Sequence, residues 1–513
     1  MIRSVRNLNR LLTIGRVLAR HDALFLLEDY LPIARFGSKL LRGGRSPVST
    51  GRPGLRLAAA LAELGPSFIK LGQALSTRAD LLGEEMAADL SGLQDELPPF
   101  PPAEARRIVE EELGGPLSDF YSTFDDAPVA AASIAQVHFA TTREGREVAV
   151  KVLRPGVEAK FHRDIDLLYW LAEWAELTIP RIRRLKPVET VKTFEESVTL
   201  EMDLRFEAAA ASELAENFRG DDNFKVPEVD WLRTGKRLLT LERVSGIPVD
   251  ETDRLRAAGI DPVDVLAKAA EAMFNQVFRD GFFHADMHPG NLFIGENGTL
   301  IAMDFGIMGR VDKRTRRFLG EMLLGFLSGD YRKVAEVHFS AGYVPADQSL
   351  DTFTQACRSI AEPILGRPLH EISIAKLLGQ LFQVTETFAM ETQPQLLLLQ
   401  KSMLVAEGVG RILDPNINMW HLAQPLIEGW MRENLGPEAR VRETVTSVVG
   451  SLERLLRLLA ETEKTYSMLV NHGLKLHPDT VKTIFADQGR IRRPSSLIAW
   501  VIAAALAVAL YLK

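Results

Sequence analysis

The chain has 513 residues, 46% of them hydrophobic and 25% charged, with a formal net charge of −7. That length exceeds one ordinary domain and that apolar share builds a substantial core, which excludes wholesale disorder. The acidic balance argues against nucleic acid as the principal partner, and a lone cysteine, Cys357, excludes a disulfide framework or a cysteine-rich metal cluster.

The first twenty residues carry Arg3, Arg6, Arg10, Arg16 and Arg20, with no acid before Asp22. Ile2, Val5, Leu8, Leu11, Leu12, Val17 and Leu18 fall between them near helical spacing. The pattern predicts a basic amphipathic helix, lying on an anionic membrane surface or docked on the protein's own body. A mitochondrial presequence shares this composition. Residues 20 to 120 read as helical, with apolar periodicity over 57–64 and 68–82. Pro98, Pro99, Pro101 and Pro102 interrupt that pattern, and a helix resumes over 103–113.

From about Tyr121 the texture becomes strand-like. Residues 134–140 and 147–153 are strands, with Gly145 in the hairpin turn between them. Residues 164–177 and 188–218 return to helical spacing, and 225–229 and 237–242 read as two more strands. Beyond Gly246 the chain is mostly helical, apart from apolar runs at 292–294 and 300–303. A small strand-rich region followed by a larger helical one is an α+β pattern.

The carboxyl end carries no charge from Leu497 to Leu512. The 19 residues from Pro494 to Leu512, as a helix rising ~1.5 Å per residue, reach roughly 28 Å, close to a hydrocarbon core of about 30 Å. Arg490, Arg492 and Arg493 precede it and only Lys513 follows, so the charge bias keeps the main body cytoplasmic. Trp500 and Tyr511 are candidate interfacial anchors. The alternative is a buried hairpin helix.

The chemistry-bearing constellation is His284, Asp286, His288 and Asn291, followed by Asp304-Phe305-Gly306. Asp286 and Asn291 stand five apart, the spacing of the kinase H-R-D-x-x-x-x-N loop. Two apolar runs joined at Gly295 and Gly298 predict a hairpin that returns Asp304 to that loop. Phosphoryl transfer needs a hard divalent cation held by carboxylate and amide oxygens, which Asp304 and Asn291 supply. Asp286 is placed to orient or deprotonate an attacking hydroxyl or water, and Gly306 to let the backbone turn. A rival reading makes His284, Asp286 and His288 a transition-metal site; it leaves Asn291 and Asp304 unused.

The nucleotide side is expected upstream. Val148-Ala149-Val150-Lys151 matches the kinase strand that carries the phosphate-contacting lysine. One hairpin earlier stand Ala130, Ala131, Ala132 and Ser133, where a phosphate-covering loop usually has glycines. Alanine narrows the allowed backbone and adds a Cβ where phosphate would approach. Glu201, Asp203 and Glu207 are three acids expected on one helix; Glu207 is the preferred partner of Lys151 and Glu201 the alternative. Glu242 to Val244 falls where an inter-lobe hinge would meet adenine.

With Lys70-Leu-Gly72-Gln73, the alanine loop, Glu201-Met-Asp203, the His284–Asn291 loop and Asp304-Phe305-Gly306 in order, the chain closely resembles the UbiB family of atypical kinases. The match runs from about Leu61 to Asn416. The resemblance implies a two-lobed protein-kinase-like fold with a helical amino-terminal extension, and ATP and Mg²⁺ bound between the lobes. It also implies ATPase or unorthodox kinase activity in ubiquinone biosynthesis at a membrane, the bacterial inner membrane being the expected one. The expected partners are a membrane lipid or prenylated quinone precursor and other ubiquinone-biosynthesis proteins, with a homodimer left open. Lys70 and Gln73 would approach the nucleotide site as regulatory residues, with Glu201 and Asp203 as ionic partners. The expected division is 1–60 for the basic region, 61–120 for the extension, 121–245 and 246–475 for the lobes, and 476–513 for linker and anchor. Two rival activities are a small-molecule phosphotransferase and a nucleotide-regulated lipid-binding scaffold.

Overall fold

The computed structural model describes residues 2–24, 51–76, 83–93, 97–178, 186–363, 384–385, 387–390, 394–416 and 425–432. The expected membrane anchor over 494–512 lies outside the described residues. Among the described residues no helix is long and apolar enough to cross a membrane.

The amino-terminal extension packs four helices, α1 (Ile2–Arg20), α2 (Pro53–Leu64), α3 (Pro66–Ser76) and α4 (Glu84–Ser91). Ile14 and Val17 of α1 bury against Leu57, Leu61 and Phe68. Arg10 grips the buried Asp164 carboxylate through two hydrogen bonds of 2.8 and 3.0 Å, and Arg20 pairs with Glu63. Of the two placements open to the basic helix, docking on the protein's own body is the one seen from Arg10 onward. A fork-to-carboxylate pair fixes direction as well as contact, because both bonds need one orientation of the guanidinium.

Gly72 of α3 shows why the Lys-x-Gly-Gln motif needs its glycine. A Cβ there would stand 2.4 Å from Leu93 Cδ1 and 2.8 Å from Leu61 Cδ1. Gly72→Val should therefore overpack this seam and lower stability by about 1–3 kcal/mol, read as a drop in melting temperature. An unchanged melting temperature would contradict the close helix approach.

Next come α5 (Pro102–Leu113), α6 (Leu117–Phe120), β1 (Tyr121–Phe124), β2 (Ala130–Ala131), β3 (Ala135–Thr142) and β4 (Glu147–Leu153). With β6 (Leu238–Glu242) they form an antiparallel sheet in the order β1-β3-β4-β6, with β2 paired to β3. Strand periodicity sorts β4 cleanly. Val148, Val150 and Val152 pack on Ile108 and Val109 of α5, whereas Leu153 joins the core on the opposite face. Lys151 shares the Leu153 face because side chains alternate. That face is covered by α7 (Val157–Thr178), α8 (Pro187–Glu201) and α9 (Leu204–Asn217).

Two expectations fail here for visible reasons. The helix expected over 188–218 breaks between α8 and α9, because Asp203 leaves helical geometry (φ −118°) and caps α9 by accepting from the Arg205 amide. A side-chain cap offers the backbone an alternative to continuing the helix. The strand expected over 225–229 is reduced to β5 (Phe224–Lys225), which pairs in parallel with β10 (Leu300–Ala302) rather than joining the first sheet. Pro227 has no amide to extend the pairing, and only Val229 returns to bridge Leu241.

The second lobe contains β7 (Ile247–Pro248), α10 (Thr252–Ala257), α11 (Pro262–Phe274), β8 (Phe282–His284), β9 (Leu292–Ile294), β10 and β11 (Met308–Arg310). Helices α12 (Lys313–Ser328), α13 (Tyr331–Ala341), α14 (Leu350–Ala361) and α15 (Pro394–Leu413) follow. Its small sheet runs β5-β10-β9-β7, beside a separate β8–β11 ribbon. Leu292, Ile294, Leu300 and Phe305 form one core with Leu214 of α9, with Phe218 just beyond it, and with Val409 and Leu413 of α15. The lone cysteine is buried with Val334 and Phe353. Burial pushes its thiol up to about 12, so it stays an inert core thiol near neutral pH.

Candidate active site

The loop between β8 and β9 is held by its own polar side chains. Gln276, fully buried in a π-helical turn (Asn275–Asp280) after α11, accepts from the His284 amide at 2.8 Å. His284 Nδ1 accepts from the Asp286 amide at 3.1 Å, which leaves Nε2–H to donate to the Met303 carbonyl at 3.0 Å. His288 Nδ1 accepts from the Gly290 amide at 3.3 Å. Asn291 Nδ2 donates to the Asp286 carbonyl at 3.0 Å. The histidines are thus structural fasteners, and among the described residues no cluster of three His, Cys, Asp or Glu side chains is arranged to hold a metal. The transition-metal alternative has no geometry behind it.

The expected hairpin forms from β9 and β10, with Leu292 opposite Ala302. The Met303 amide then donates to the Asn291 carbonyl at 2.8 Å, which brings Asp304 beside the loop. The turn falls on a different residue from the one expected. Asp304 itself adopts φ +57°, and Gly306 is not among the glycines with positive φ. Aspartate tolerates the left-handed region better than most side chains, at a cost of about 1–2 kcal/mol. Gly306 contributes its amide, 3.3 Å from Asp304 Oδ1.

Across the cleft, Lys151 Nζ donates to Glu207 at 2.7 and 3.0 Å and to Asp304 Oδ1 at 3.3 Å. Three sequence-distant groups therefore meet at one point. Burial disfavours the charged lysine, yet the Asp304 and Glu207 carboxylates outweigh it and raise its affinity for the proton. Lys151 in turn holds the Asp304 carboxyl down at about 2, against the opposing effect of burial and with help from Lys70. Asp304 is therefore ionised throughout the physiological range. Its carboxylate and the Asn291 side-chain oxygen are the two oxygens that could hold a cation here. That suits Mg²⁺, which keeps waters and takes its remaining ligands from phosphate.

Above the cleft, Ala130 and Ala131 lie in β2 opposite Val137 and Gln136, and the Ala132 amide closes the turn on the Ala135 carbonyl at 2.8 Å. Ser133 is fully buried, and its hydroxyl has no hydrogen-bond partner among the described residues. A buried unsatisfied polar group costs about 1–3 kcal/mol, a loss that a phosphate oxygen would relieve. The loop is braced from outside. Arg154 donates to the carbonyls of Ala132, Pro98 and Leu97 at 2.9, 2.9 and 3.2 Å, and the Leu97 amide donates to Ala131 at 3.3 Å. Sequence reading treated the proline segment as an interruption and missed this strap. In the segment expected as the hinge, the Glu242 amide donates to the Glu228 carbonyl at 2.7 Å and the Arg243 amide to the Glu147 carbonyl at 3.1 Å. Val244 carries the next amide along.

Lys70 and Gln73 of the extension and their expected partners Glu201 and Asp203 do not form one cluster. Lys70 Nζ stands 3.2 Å from Glu201, both side chains largely buried. Asp203, expected as a second partner of Lys70, is instead gripped by Arg205 at 2.8 and 2.6 Å, a consequence of its capping position. Gln73 donates to the Leu93 carbonyl at 3.4 Å, within the extension. A further group was not expected at all. Lys401 of α15 reaches Asp286 Oδ1 at 3.1 Å. It is the only charged residue between Pro394 and Ala406, an isolation that could have marked it.

Comparison with known proteins agrees with this architecture. Residues 92–338 match the ABC1 atypical kinase-like domain and 357–418 the UbiB helical domain. The chain is 44% identical over 405 residues to a probable protein kinase UbiB of Marinobacter nauticus, covering 78% of this chain and 74% of that one. Its counterpart in Pseudomonas paraeruginosa is 43% identical over 444 residues, covering 84% and 83%. Among solved structures, the protein of the Rv3197–erythromycin complex from Mycobacterium tuberculosis superimposes with a TM-score of 0.52. It is 25% identical and covers 72% of this chain and 95% of that one. The fold is α+β and protein-kinase-like.

Proposed function

This chain belongs to the UbiB family of atypical kinases, and we propose that it binds Mg²⁺–ATP between its lobes and uses it at a membrane in support of ubiquinone biosynthesis. The observation that carries the nucleotide reading is the meeting of Lys151, Glu207 and Asp304 within 3.3 Å, beside a loop bearing Asp286 and Asn291. In the proposed cycle Lys151 holds phosphate oxygens, and Glu207 fixes the lysine so that its ammonium does not swing away. Ser133 gives the terminal phosphates a buried hydroxyl donor. Asp286 takes the proton of an attacking hydroxyl or water as the new O–P bond forms and the bond to ADP breaks. Bound Mg²⁺, held by Asp304 and Asn291, would neutralise charge on the phosphate oxygens.

ATP turnover by the purified full chain, with and without membrane lipid and a prenylated quinone precursor, tests this reading. Turnover that rises with lipid or precursor and is lost in Asp286→Asn supports it. Binding without turnover under all conditions would leave a nucleotide switch in place of an enzyme.

The membrane half of the reading rests on the charge-free apolar tail and its arginine flank. Removing residues 494–513 should move the protein from the membrane fraction to the soluble one while ATP binding persists. A high-salt wash removes any attachment through surface arginines. Full membrane retention after both treatments would refute the anchor.

A further inference from the structure

We propose that Lys401, delivered by α15 of the helical domain, contacts the terminal phosphate of the bound nucleotide and so completes the active site from outside the kinase-like domain. The inference rests on the nucleotide reading above. Phosphoryl transfer from ATP concentrates negative charge on the terminal phosphate, and a fixed cation near the attacking group stabilises it. The loop from His284 to Asn291 contains no lysine or arginine. The Nδ1 atoms of both its histidines accept from backbone amides, and His284 Nε2–H donates to the Met303 carbonyl. Lys151 is held on the other side of the site by Glu207 and Asp304. The cation on the Asp286 side comes instead from 115 residues downstream, 3.1 Å from Asp286 Oδ1.

The seat of α15 is built rather than incidental. Leu399 packs with Phe283 and Ala285 under the loop, Val409 and Leu413 pack with Met287 and Phe305, and Ser402 is fully buried. The ammonium itself remains reachable, with the Lys401 and Asp286 side chains 28% and 34% exposed. A pair so open to solvent stabilises a fold little. Its flexible four-carbon stem lets the ammonium shift from Asp286 towards a phosphate oxygen without moving the helix.

The test is equilibrium binding of ATP and of ADP, each with Mg²⁺, to the full chain as wild type, Lys401→Met and Lys401→Arg. A contact to the terminal phosphate predicts ATP weakened about tenfold or more in Lys401→Met, with ADP affinity within about twofold of wild type. Lys401→Arg, which keeps the charge, should keep most of the preference for ATP. A purely structural lysine would not move the ATP-to-ADP ratio. Equal losses for both nucleotides, or no loss for either, would overturn the inference. A wild-type chain that binds neither nucleotide would overturn the nucleotide reading beneath it.

Discussion

Mg²⁺–ATP is expected to raise the melting temperature of the wild-type chain, and Asp304→Asn to remove most of that rise. A ligand at about a hundred times its dissociation constant stabilises the folded state by about 2.7 kcal/mol, which in a chain of this size is on the order of a few degrees. Asparagine is the informative substitution because it leaves the fold alone. It is nearly isosteric, tolerates the left-handed backbone seen at φ +57°, and keeps an oxygen for the Gly306 amide. Alanine would add backbone strain of about 1–2 kcal/mol and blur the readout. The charge is what Asn removes, and with it the carboxylate that Lys151 holds ionised down to about 2. An undiminished shift in Asp304→Asn would show that the metal and nucleotide sit elsewhere.

The largest biological effect is expected in a strain lacking this protein. Ubiquinone should fall and an early prenylated precursor accumulate, and Asp286→Asn at equal abundance should fail to restore the quinone. Removing a general base slows such chemistry about 10²–10⁴-fold. Asp286 is half-exposed on the cleft wall, so its amide variant should fold. Lys151→Ala should also fail, but it leaves the buried Glu207 carboxylate unpaired. Breaking a buried pair from one side costs about 3–5 kcal/mol, so abundance must be measured alongside. Normal ubiquinone in the deletion strain would remove the pathway assignment. Rescue by both variants would favour a scaffold that needs no turnover.

What could be read from the sequence was local or spaced by short hairpins. The five-residue step from Asp286 to Asn291 and the turn at Gly295 and Gly298 were enough to place Asp304 beside the loop, because a two-stranded hairpin leaves little freedom of register. The Lys151–Glu207 pair was reachable on other grounds: the kinase pattern demands a glutamate for the strand lysine, and Glu207 was the preferred of two candidates. Long-range contacts were legible only where the kinase pattern or the family resemblance named both partners, as for Lys151 with Glu207 and Lys70 with Glu201. Nothing local to Lys401 says that α15 folds back under Asp286, and Arg154 gave no sign that it would strap the alanine loop to residues 97 and 98. Asp203 was misread because a capping aspartate and an ion-pairing one look alike until the helix boundary is known. The backbone turn was assigned to Gly306, since glycine is the usual carrier of unusual backbone and aspartate the less common one. The π-helical turn that buries Gln276 under His284 has no periodicity of its own to detect, and such turns are frequent at functional sites.

In the proposed site the nucleotide phosphates lie between Lys151 and the loop of Asp286. The most direct measurement uses an acyl-phosphate derivative of ATP, which transfers its acyl group to a lysine amine lying against the phosphates. Peptides of the labelled full chain are then mapped by mass spectrometry. Acylation is expected at Lys151, suppressed by excess Mg²⁺–ATP and weakened by Asp304→Asn. Labelling confined to other lysines, or label at Lys151 indifferent to competing Mg²⁺–ATP, would contradict that placement.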